Sequence, residues 1–376
     1  MSEPVELIET SDALSGLFGD LAAESLLAVD TEAASFHRYR DRVYLLQVSS
    51  RRRTAVVDPL AVRDLGALGR LLADPGVEIV FHDADYDLRL LEQEYGFRAT
   101  RLFDTRIAAQ LLNEPGIGLA ALLEKYFGVR LDKRFQRADW SARPLSREMI
   151  SYAASDTRHL PGLRDIMREQ LAARGRLGWA EEEFELLAQV RWRNDQGEPA
   201  FLRMKGAKAL KGRALAVLRE VHQWREELAA RSDRAPFRIL SNEPMLEIAR
   251  AQPRDASALR AMRGVGGELV ERRGRELLAA VQRGLELPES EIPRLARAAR
   301  RPPDPAYEAR LERLKALRNE LAARYELAPG VLCPNGTLEA IARAEPRSVE
   351  ELRSIPELRR WQIEEFGDAL VRAIAA

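Results

Sequence analysis

Three short acidic stretches in the first half of the chain hold residue types that could do chemistry together: Asp30-Thr31-Glu32, the Asp87 of His82-Asp-Ala-Asp-Tyr-Asp-Leu88, and Tyr152-Ala-Ala-Ser-Asp156. Asp30 and Glu32 are two residues apart, so on a strand both carboxylates point to one face. The preceding Leu26-Leu-Ala-Val29 makes that strand a buried one. Carboxylates converging at the rim of a buried strand repel each other, and a divalent cation is the usual compensation. Tyr152 and Asp156 stack about one turn apart on one helix face, which sets a phenol beside a carboxylate. Taken singly, these features read equally as a solvated strand end, a tyrosine in a helix interface and, for Asp87, an acid compensating a helix dipole. Their conjunction separates the readings. Four convergent carboxylates with few nitrogen ligands prefer hard cations, Mg2+ or Mn2+. Two such ions, roughly 4 Å apart, activate a water and stabilise the departing oxygen of an in-line phosphoryl displacement. A tyrosine hydroxyl alongside can orient that water, and the reaction served is phosphodiester hydrolysis from a free 3′ end.

The elements that must position these residues are short apolar runs, Leu26–Asp30, Val43–Val48, Thr54–Val57 and Glu78–Phe81, which read as strands. The connections among the first three are too short for helical crossovers and predict an antiparallel meander. Helices follow around 85–95, 105–113, 118–127, 146–160 and 161–174, with Ser146 as an N-cap. The helix at 85–95 begins beside Asp87 and turns Leu88, Leu90 and Leu91 inward. Strands first and α/β units afterwards suit an α/β, ribonuclease H-like domain with a mixed sheet.

At 376 residues, with 46% hydrophobic and 31% charged residues, the chain has the size of two or three soluble domains. No apolar run reaches membrane-spanning length. The opening MSEPVELIET carries acids where a secretory signal carries basic and apolar residues, which predicts a cytoplasmic protein. The single cysteine, Cys333, excludes an internal disulfide framework and a thiolate-rich zinc site, and the four histidines lack ligand spacing. Any metal must sit on carboxylates. The zero net charge hides an asymmetry: residues 1–200 carry 26 basic and 33 acidic residues, whereas residues 201–288 carry 18 and 11. Phosphate neutralisation dominates nucleic-acid affinity, so the middle of the chain is where RNA would be attracted. Its sharpest basic segment, residues 203–213, contributes Arg203, Lys205, Lys208, Lys211 and Arg213 with no acid. Those cations either clamp an RNA backbone or form a solvated linker.

Beyond about residue 214 strand signals vanish, and the chain matches itself at a shift of 93 residues. Arg225 meets Arg318, Pro236 meets Pro329, Asn242 meets Asn335, Ile248-Ala249 meets Ile341-Ala342, and Gly274 meets Gly367. Two copies of one all-α domain follow. The chain thus divides into 1–200, a basic linker at 201–213, a first helical copy at 214–288, a Pro-, Arg- and Ala-rich linker at 289–303, and a second copy at 304–376.

Asp-x-Glu, then His-xxxx-Asp-Leu, then Tyr-xxx-Asp resembles, in order and spacing, the DEDD-type 3′-5′ exonuclease superfamily in its tyrosine subgroup. Phe103-Asp104-Thr105, Leu131-Asp-Lys133 and Asp139-Trp-Ser-Ala-Arg-Pro-Leu145 are similar to the signature stretches of the bacterial ribonuclease D family. The two helical copies resemble the helicase-and-RNase-D C-terminal domain, HRDC. The likeness covers nearly the whole chain. It implies that Asp30, Glu32, Asp87 and Asp156 bind two divalent cations, with Asp30 bridging them, and that Tyr152 positions the water. It also implies an exoribonuclease acting on stable-RNA 3′ ends, with precursor tRNA as substrate class; a monomer with no membrane partner is the accompanying expectation. Phe36 is the candidate base-stacking residue. Asp104 holds the start of a helix, and His82 either lines the site at the terminal nucleotide or is a satisfied core histidine. A DNA-directed exonuclease of the same superfamily and a non-catalytic RNA-binding scaffold are the competing readings.

Overall fold

The computed structural model describes residues 5–132, 134–192, 197–295 and 304–375, so Lys133 and much of the second expected linker lie outside the described residues. Six strands, β1 (Glu6–Ile8), β2 (Leu26–Glu32), β3 (Leu45–Ser49), β4 (Thr54–Val57), β5 (Glu78–Phe81) and β6 (Leu102–Asp104), form one mixed sheet in the order β1-β4-β3-β2-β5-β6. The meander is there: β2, β3 and β4 pair antiparallel, while β1 joins β4, β5 joins β2 and β6 joins β5 in parallel. At three residues each, β1 and β6 are too short to show a period, which is why they escape a reading of the sequence. Leu26, Leu27, Ala28 and Val29 are buried at the centre of the sheet. Pairing of β2 with β5 ends at Ala28, opposite Val80, but pairing with β3 runs on to Glu32, opposite Leu45. The last residues of β2 therefore project beyond β5 with one edge free of strand pairing.

Among the described residues, eight helices belong to this part of the chain: α1 (Ser11–Leu21), α2 (Gly66–Ala73), α3 (Asp85–Tyr95), α4 (Thr105–Leu111), α5 (Leu119–Phe127), α6 (Arg147–Arg158), α7 (Leu160–Ala173) and α8 (Leu177–Leu187). Helices α3 to α7 lie within a few residues of expectation. Helix α1 is hidden in the sequence because two glycines and two serines dilute its helical pattern. Ser146 caps α6, its hydroxyl accepting from the Met149 N–H at 3.2 Å. Helix α6 packs across β2, β3 and β4.

The chain forms two compact units, one of Met1–Ala33, Val43–Trp192 and Arg301–Ala376, the other of Ala34–Arg42 and Arg193–Arg300. In the second unit, α9 (Ala200–Arg203), α10 (Gly212–Ser232), α11 (Asn242–Ala251), α12 (Ala256–Ala261) and α13 (Gly267–Glu286) make the first helical copy. Phe201, Met204, Ala207 and Leu210, from the stretch read as a basic linker, are buried in the same apolar cluster as Leu218, Val221 and Leu277. The second copy, α14 (Pro305–Arg324), α15 (Pro329–Leu332), α16 (Asn335–Ala344), α17 (Val349–Leu352) and α18 (Arg360–Ala375), repeats the first in detail. Arg225 donates to the Asn242 Oδ1 at 2.8 Å and to the Leu240 carbonyl; Arg318 donates to the Asn335 Oδ1 at 2.6 Å and to the Cys333 carbonyl. Gln252 and Glu345 both close a helix at φ 50°.

The second copy shares an apolar core with the sheet domain. Trp361 at the start of α18 stacks on Trp179 of α8, with ring centroids 4.4 Å apart and planes 14° from parallel. The buried Glu182 carboxylate accepts from the Arg360 and Trp361 N–H groups at 2.7 and 3.0 Å, satisfying donors that a helix N-terminus leaves open. Arg359 donates to Glu183 at 2.9 Å. No helix among the described residues is long and apolar enough to cross a membrane. Because Trp361 is almost fully buried, Trp361→Ala is expected to lower unfolding free energy by about 3–5 kcal/mol in chemical denaturation. An unchanged midpoint would show that this contact contributes nothing to folding.

Candidate active site

The free edge of β2 is what assembles the site. The Asp30 and Glu32 side chains leave one face of the strand, and Asp156, two turns into α6, comes down onto that face. One carboxylate oxygen from each of the three lies within 4.8 Å of the others. Thr31, between the two strand acids, turns its backbone N–H toward the unpaired edge. There the Asp87 Oδ1 accepts from that N–H at 3.1 Å and from the Thr31 hydroxyl at 2.5 Å. Three of the four sequence-predicted acids thus form the tight group, and the fourth is fastened by one oxygen to the residue between two of them. Thr31 is a contact residue of the acidic group that motif reading passes over; its only signal was the x of Asp-x-Glu.

Asp87 is delivered by the way α3 begins. Asp104, at the end of β6, accepts from the Ala84 N–H at 2.8 Å through one oxygen, and through the other from the N–H groups of Arg106 and Ile107 at 2.8 and 3.0 Å. It caps α4 and ties down the residue preceding α3, the structural task foreseen for it. Tyr152 is held by the loop carrying the Asp139–Leu145 signature. Its ring lies 6.0 Å from Trp140, nearly parallel, and 5.8 Å from Phe135, edge-on. Trp140 is fixed in turn by Arg143, which donates to its carbonyl at 2.8 Å, to both oxygens of Asp58 at 2.6 and 2.8 Å, and to the Tyr44 carbonyl at 2.9 Å. That signature is an anchor for the tyrosine. The neighbouring face is tied by the Ser49 hydroxyl of β3, 2.8 Å from the Thr157 hydroxyl of α6.

Burial pushes the Asp30 carboxyl well above the usual range, and the charges of Asp87, Asp156 and Glu32 push it further. Glu32 is raised by burial and by Asp156 and Asp87. Burial raises Asp87 and Asp156 to about 7. The Tyr152 phenol is shifted upward by burial and then by Asp156, Glu32 and Asp30. No arginine or lysine among the described residues forms an ion pair with any of the four acids, although the chain carries 59 basic residues. One more group is uncompensated: Gln47 of β3, directly opposite Asp30, is fully buried and its side-chain amide has no hydrogen-bond partner among the described residues. An all-oxygen set of unneutralised carboxylates fits hard divalent cations, and Asp30, Glu32, Asp87 and Asp156 are the residues that could hold them.

The other candidates fall elsewhere. His82 is a largely enclosed histidine: its Nδ1 is 2.9 Å from the Thr105 hydroxyl, and burial, then Arg106, lowers it to about 4, so the ring is neutral. Phe36 belongs to the second unit, where its ring, 43% exposed, packs edge-on against the exposed Phe237 and its carbonyl accepts from Arg238. Arg203, Lys205, Lys208 and Lys211 are exposed in that unit. Lys208 pairs with Glu198 at 2.9 Å, and Arg213 donates to the Leu287 carbonyl.

Comparison with known proteins agrees with this geometry. A sequence model of 3′-5′ exonucleases matches residues 5–172, and one of the HRDC domain matches residues 214–281 and 308–374. Ribonuclease D of Acidiphilium cryptum is 34% identical over 376 residues, covering 98% of this chain and 93% of its own. The chain belongs to the ribonuclease D family. Among solved structures, Escherichia coli RNase D, described as an exoribonuclease involved in structured RNA processing, superposes with a TM-score of 0.73 at 26% identity over 100% of this chain and 99% of its own. The catalytic core of RRP6 from Trypanosoma brucei gives 0.67 at 30% identity, covering 76% of this chain and 81% of its own. Membership of the ribonuclease D family identifies the two helical copies as HRDC domains and the sheet domain as the exonuclease domain.

The raised carboxyls fix how this ribonuclease D family member responds to pH. A carboxyl whose folded value lies above its unfolded one stabilises the fold at low pH, and that stabilisation is lost as pH rises through the folded value, here about 7 for Asp87 and Asp156. A cation at the site competes with those protons. In chelator, the melting temperature is expected to fall as pH rises from about 4, the ordinary carboxyl value, to about 7, and the increment produced by excess Mg2+ to grow over the same interval. A magnesium increment that does not change with pH would contradict this account.

Proposed function

We propose that the chain hydrolyses RNA from its 3′ end to nucleoside 5′-monophosphates, with Asp30, Glu32, Asp87 and Asp156 holding two divalent cations, Mg2+ or Mn2+, and Tyr152 orienting the attacking water. The observation that carries this reading is the meeting of three carboxylate oxygens within 4.8 Å, on the helix face that also bears the tyrosine. Cations held there would activate water and offset the charge that builds on the scissile phosphate. The chain's own groups do the rest. Tyr152 keeps its proton because burial and its acidic neighbours disfavour the phenolate, so it serves as a hydrogen-bond donor that orients the nucleophile and not as a base. Attack of the water oxygen on phosphorus forms one P–O bond and breaks the bond to the 3′ oxygen of the penultimate nucleotide; the proton given up by the water balances the one the departing oxygen takes to become a new 3′-hydroxyl.

RNA as the substrate is supported by the names of the relatives, which are ribonucleases, and structured RNA by the description of the Escherichia coli enzyme. Precursor tRNA 3′ ends are the substrate class we infer, in a cytoplasmic, monomeric enzyme. The exposed Arg203, Lys205, Lys208 and Lys211, with Arg213, give a first HRDC domain that tracks the phosphate backbone, and the exposed Phe36 ring suits stacking on a base. This reading keeps the boundaries at 1–200, 214–288, 289–303 and 304–376, and takes residues 201–213, whose Phe201, Met204, Ala207 and Leu210 pack with the first helical copy, as its basic edge. The test incubates purified protein with 5′-labelled RNA and DNA of one sequence in Mg2+, Mn2+ or chelator. Stepwise shortening of RNA that stops in chelator is expected; equal shortening of DNA would move the assignment to a DNA-directed exonuclease. Asp30→Ala is expected to abolish hydrolysis while leaving the circular dichroism spectrum and RNA binding intact, and hydrolysis at the wild-type rate would refute the site. Tyr152→Phe is expected to lower kcat by about 100-fold with little change in KM, as for a lost orienting contact.

A further inference from the structure

Gln47 is the residue of the exonuclease domain that its surroundings explain least. It lies in the middle of β3, a strand hydrogen-bonded on both sides, among Leu45, Leu46 and Val48, all buried. Neither the Nε2 nor the Oε1 atom of its fully buried amide has a hydrogen-bond partner among the described residues. Leaving a buried donor or acceptor unpaired costs about 1–3 kcal/mol per group, so a core position with no polar task would be better filled by an apolar residue. The face of Gln47 is set by its neighbour two residues on, because the Ser49 hydroxyl reaches Thr157 of α6. Gln47 therefore lies under the helix that carries Tyr152 and Asp156. In the antiparallel ladder it stands directly opposite Asp30, and such pairs share a face with Cβ atoms about 4.5–5.5 Å apart.

We propose that Gln47 is a positioning residue for the metal-holding carboxylates, its side-chain amide donating to the Asp30 carboxylate and fixing the orientation in which that group meets cations. The proposal rests on the metal-binding reading given above. It adds to the contact already present on the other side of the strand, where Thr31 orients Asp87 through its backbone N–H and its hydroxyl. Together the two residues would hold a strand acid and a helix acid in register in the ion-bound site, Thr31 through bonds already made and Gln47 through one that forms as Asp30 takes up the cation. Partners of this kind govern metal affinity by about 10- to 100-fold.

The experiment titrates Mn2+ into full-length wild-type protein and the Gln47→Met and Asp30→Ala variants, reading free Mn2+ by electron paramagnetic resonance, with a thermal melt of each in chelator. Methionine keeps the length and unbranched shape of glutamine and removes both unpaired atoms. The expected result is Mn2+ binding weakened about 10- to 100-fold in Gln47→Met, with a melting temperature in chelator equal to or above that of the wild type. A purely structural Gln47 gives the opposite pattern, with wild-type Mn2+ affinity, and that outcome overturns the proposal. Should Gln47→Met lose its folded baseline, the same titration on Gln47→Asn, which keeps a core amide but withdraws it by one methylene, decides in the same way: wild-type affinity overturns the proposal and weakened affinity supports it. Asp30→Ala separates the two levels. If it binds Mn2+ as the wild type does, the metal reading itself fails, whereas loss of binding there with wild-type affinity in Gln47→Met removes only the role of Gln47.

Discussion

Everything in this molecule is arranged around carboxylates that repel one another at a place where water screens them poorly. One oxygen of each of Asp30, Glu32 and Asp156 lies within 4.8 Å of the others, a separation at which two full charges interact by about 3 kcal/mol at the effective dielectric of a protein surface. No neighbouring cation among the described residues relieves them; the fold holds them together by other means. The buried apolar half of β2 fixes the strand, its extension past β5 leaves an edge on which Asp87 can be fastened, and the cap on α6 sets where Asp156 descends. Repulsion stored this way is what makes the site demand a divalent partner, because proton uptake near neutrality is its only other outlet.

The supports come from residues with no chemistry of their own. Asp104 spends its carboxylate on three backbone N–H groups and so dictates where α3 begins. Arg143 spends its guanidinium on Asp58 and three carbonyls, and thereby holds Trp140 against the tyrosine. Both carboxylates and the guanidinium are buried or half-buried and hydrogen-bonded, the condition under which polar groups in an interior rigidify instead of destabilising. The two HRDC domains have diverged within this scheme. The first, with the basic stretch that precedes it, holds 18 basic against 11 acidic residues over 201–288, and the other is joined to the exonuclease domain through a tryptophan stack and a carboxylate that caps its last helix.

Much of this was legible in the residues. The period of two around Asp30 and Glu32, the four-residue spacing of Tyr152 and Asp156 and the 93-residue repeat depend on local geometry, which sequence encodes directly. The repeat extends even to paired hydrogen bonds from Arg225 and Arg318. What escaped depends on contacts distant along the chain. Strands β1 and β6 exist because a neighbour pairs with them, Thr31 matters because Asp87 arrives from 56 residues away, and the burial of Phe201, Met204, Ala207 and Leu210 beneath a basic stretch shows only once α10 is packed against them. Gln47 left a faint trace, one polar residue in an apolar strand, which acquires meaning only through its register with Asp30.

The four acids, on this reading, form one site for paired divalent ions. Crystals of the protein equilibrated with Mn2+, with anomalous diffraction measured at the manganese edge, test it most directly. The account requires two anomalous peaks roughly 4 Å apart, each touching carboxylate oxygens of Asp30, Glu32, Asp87 or Asp156. Strong peaks elsewhere in the molecule with none among these four side chains would contradict it.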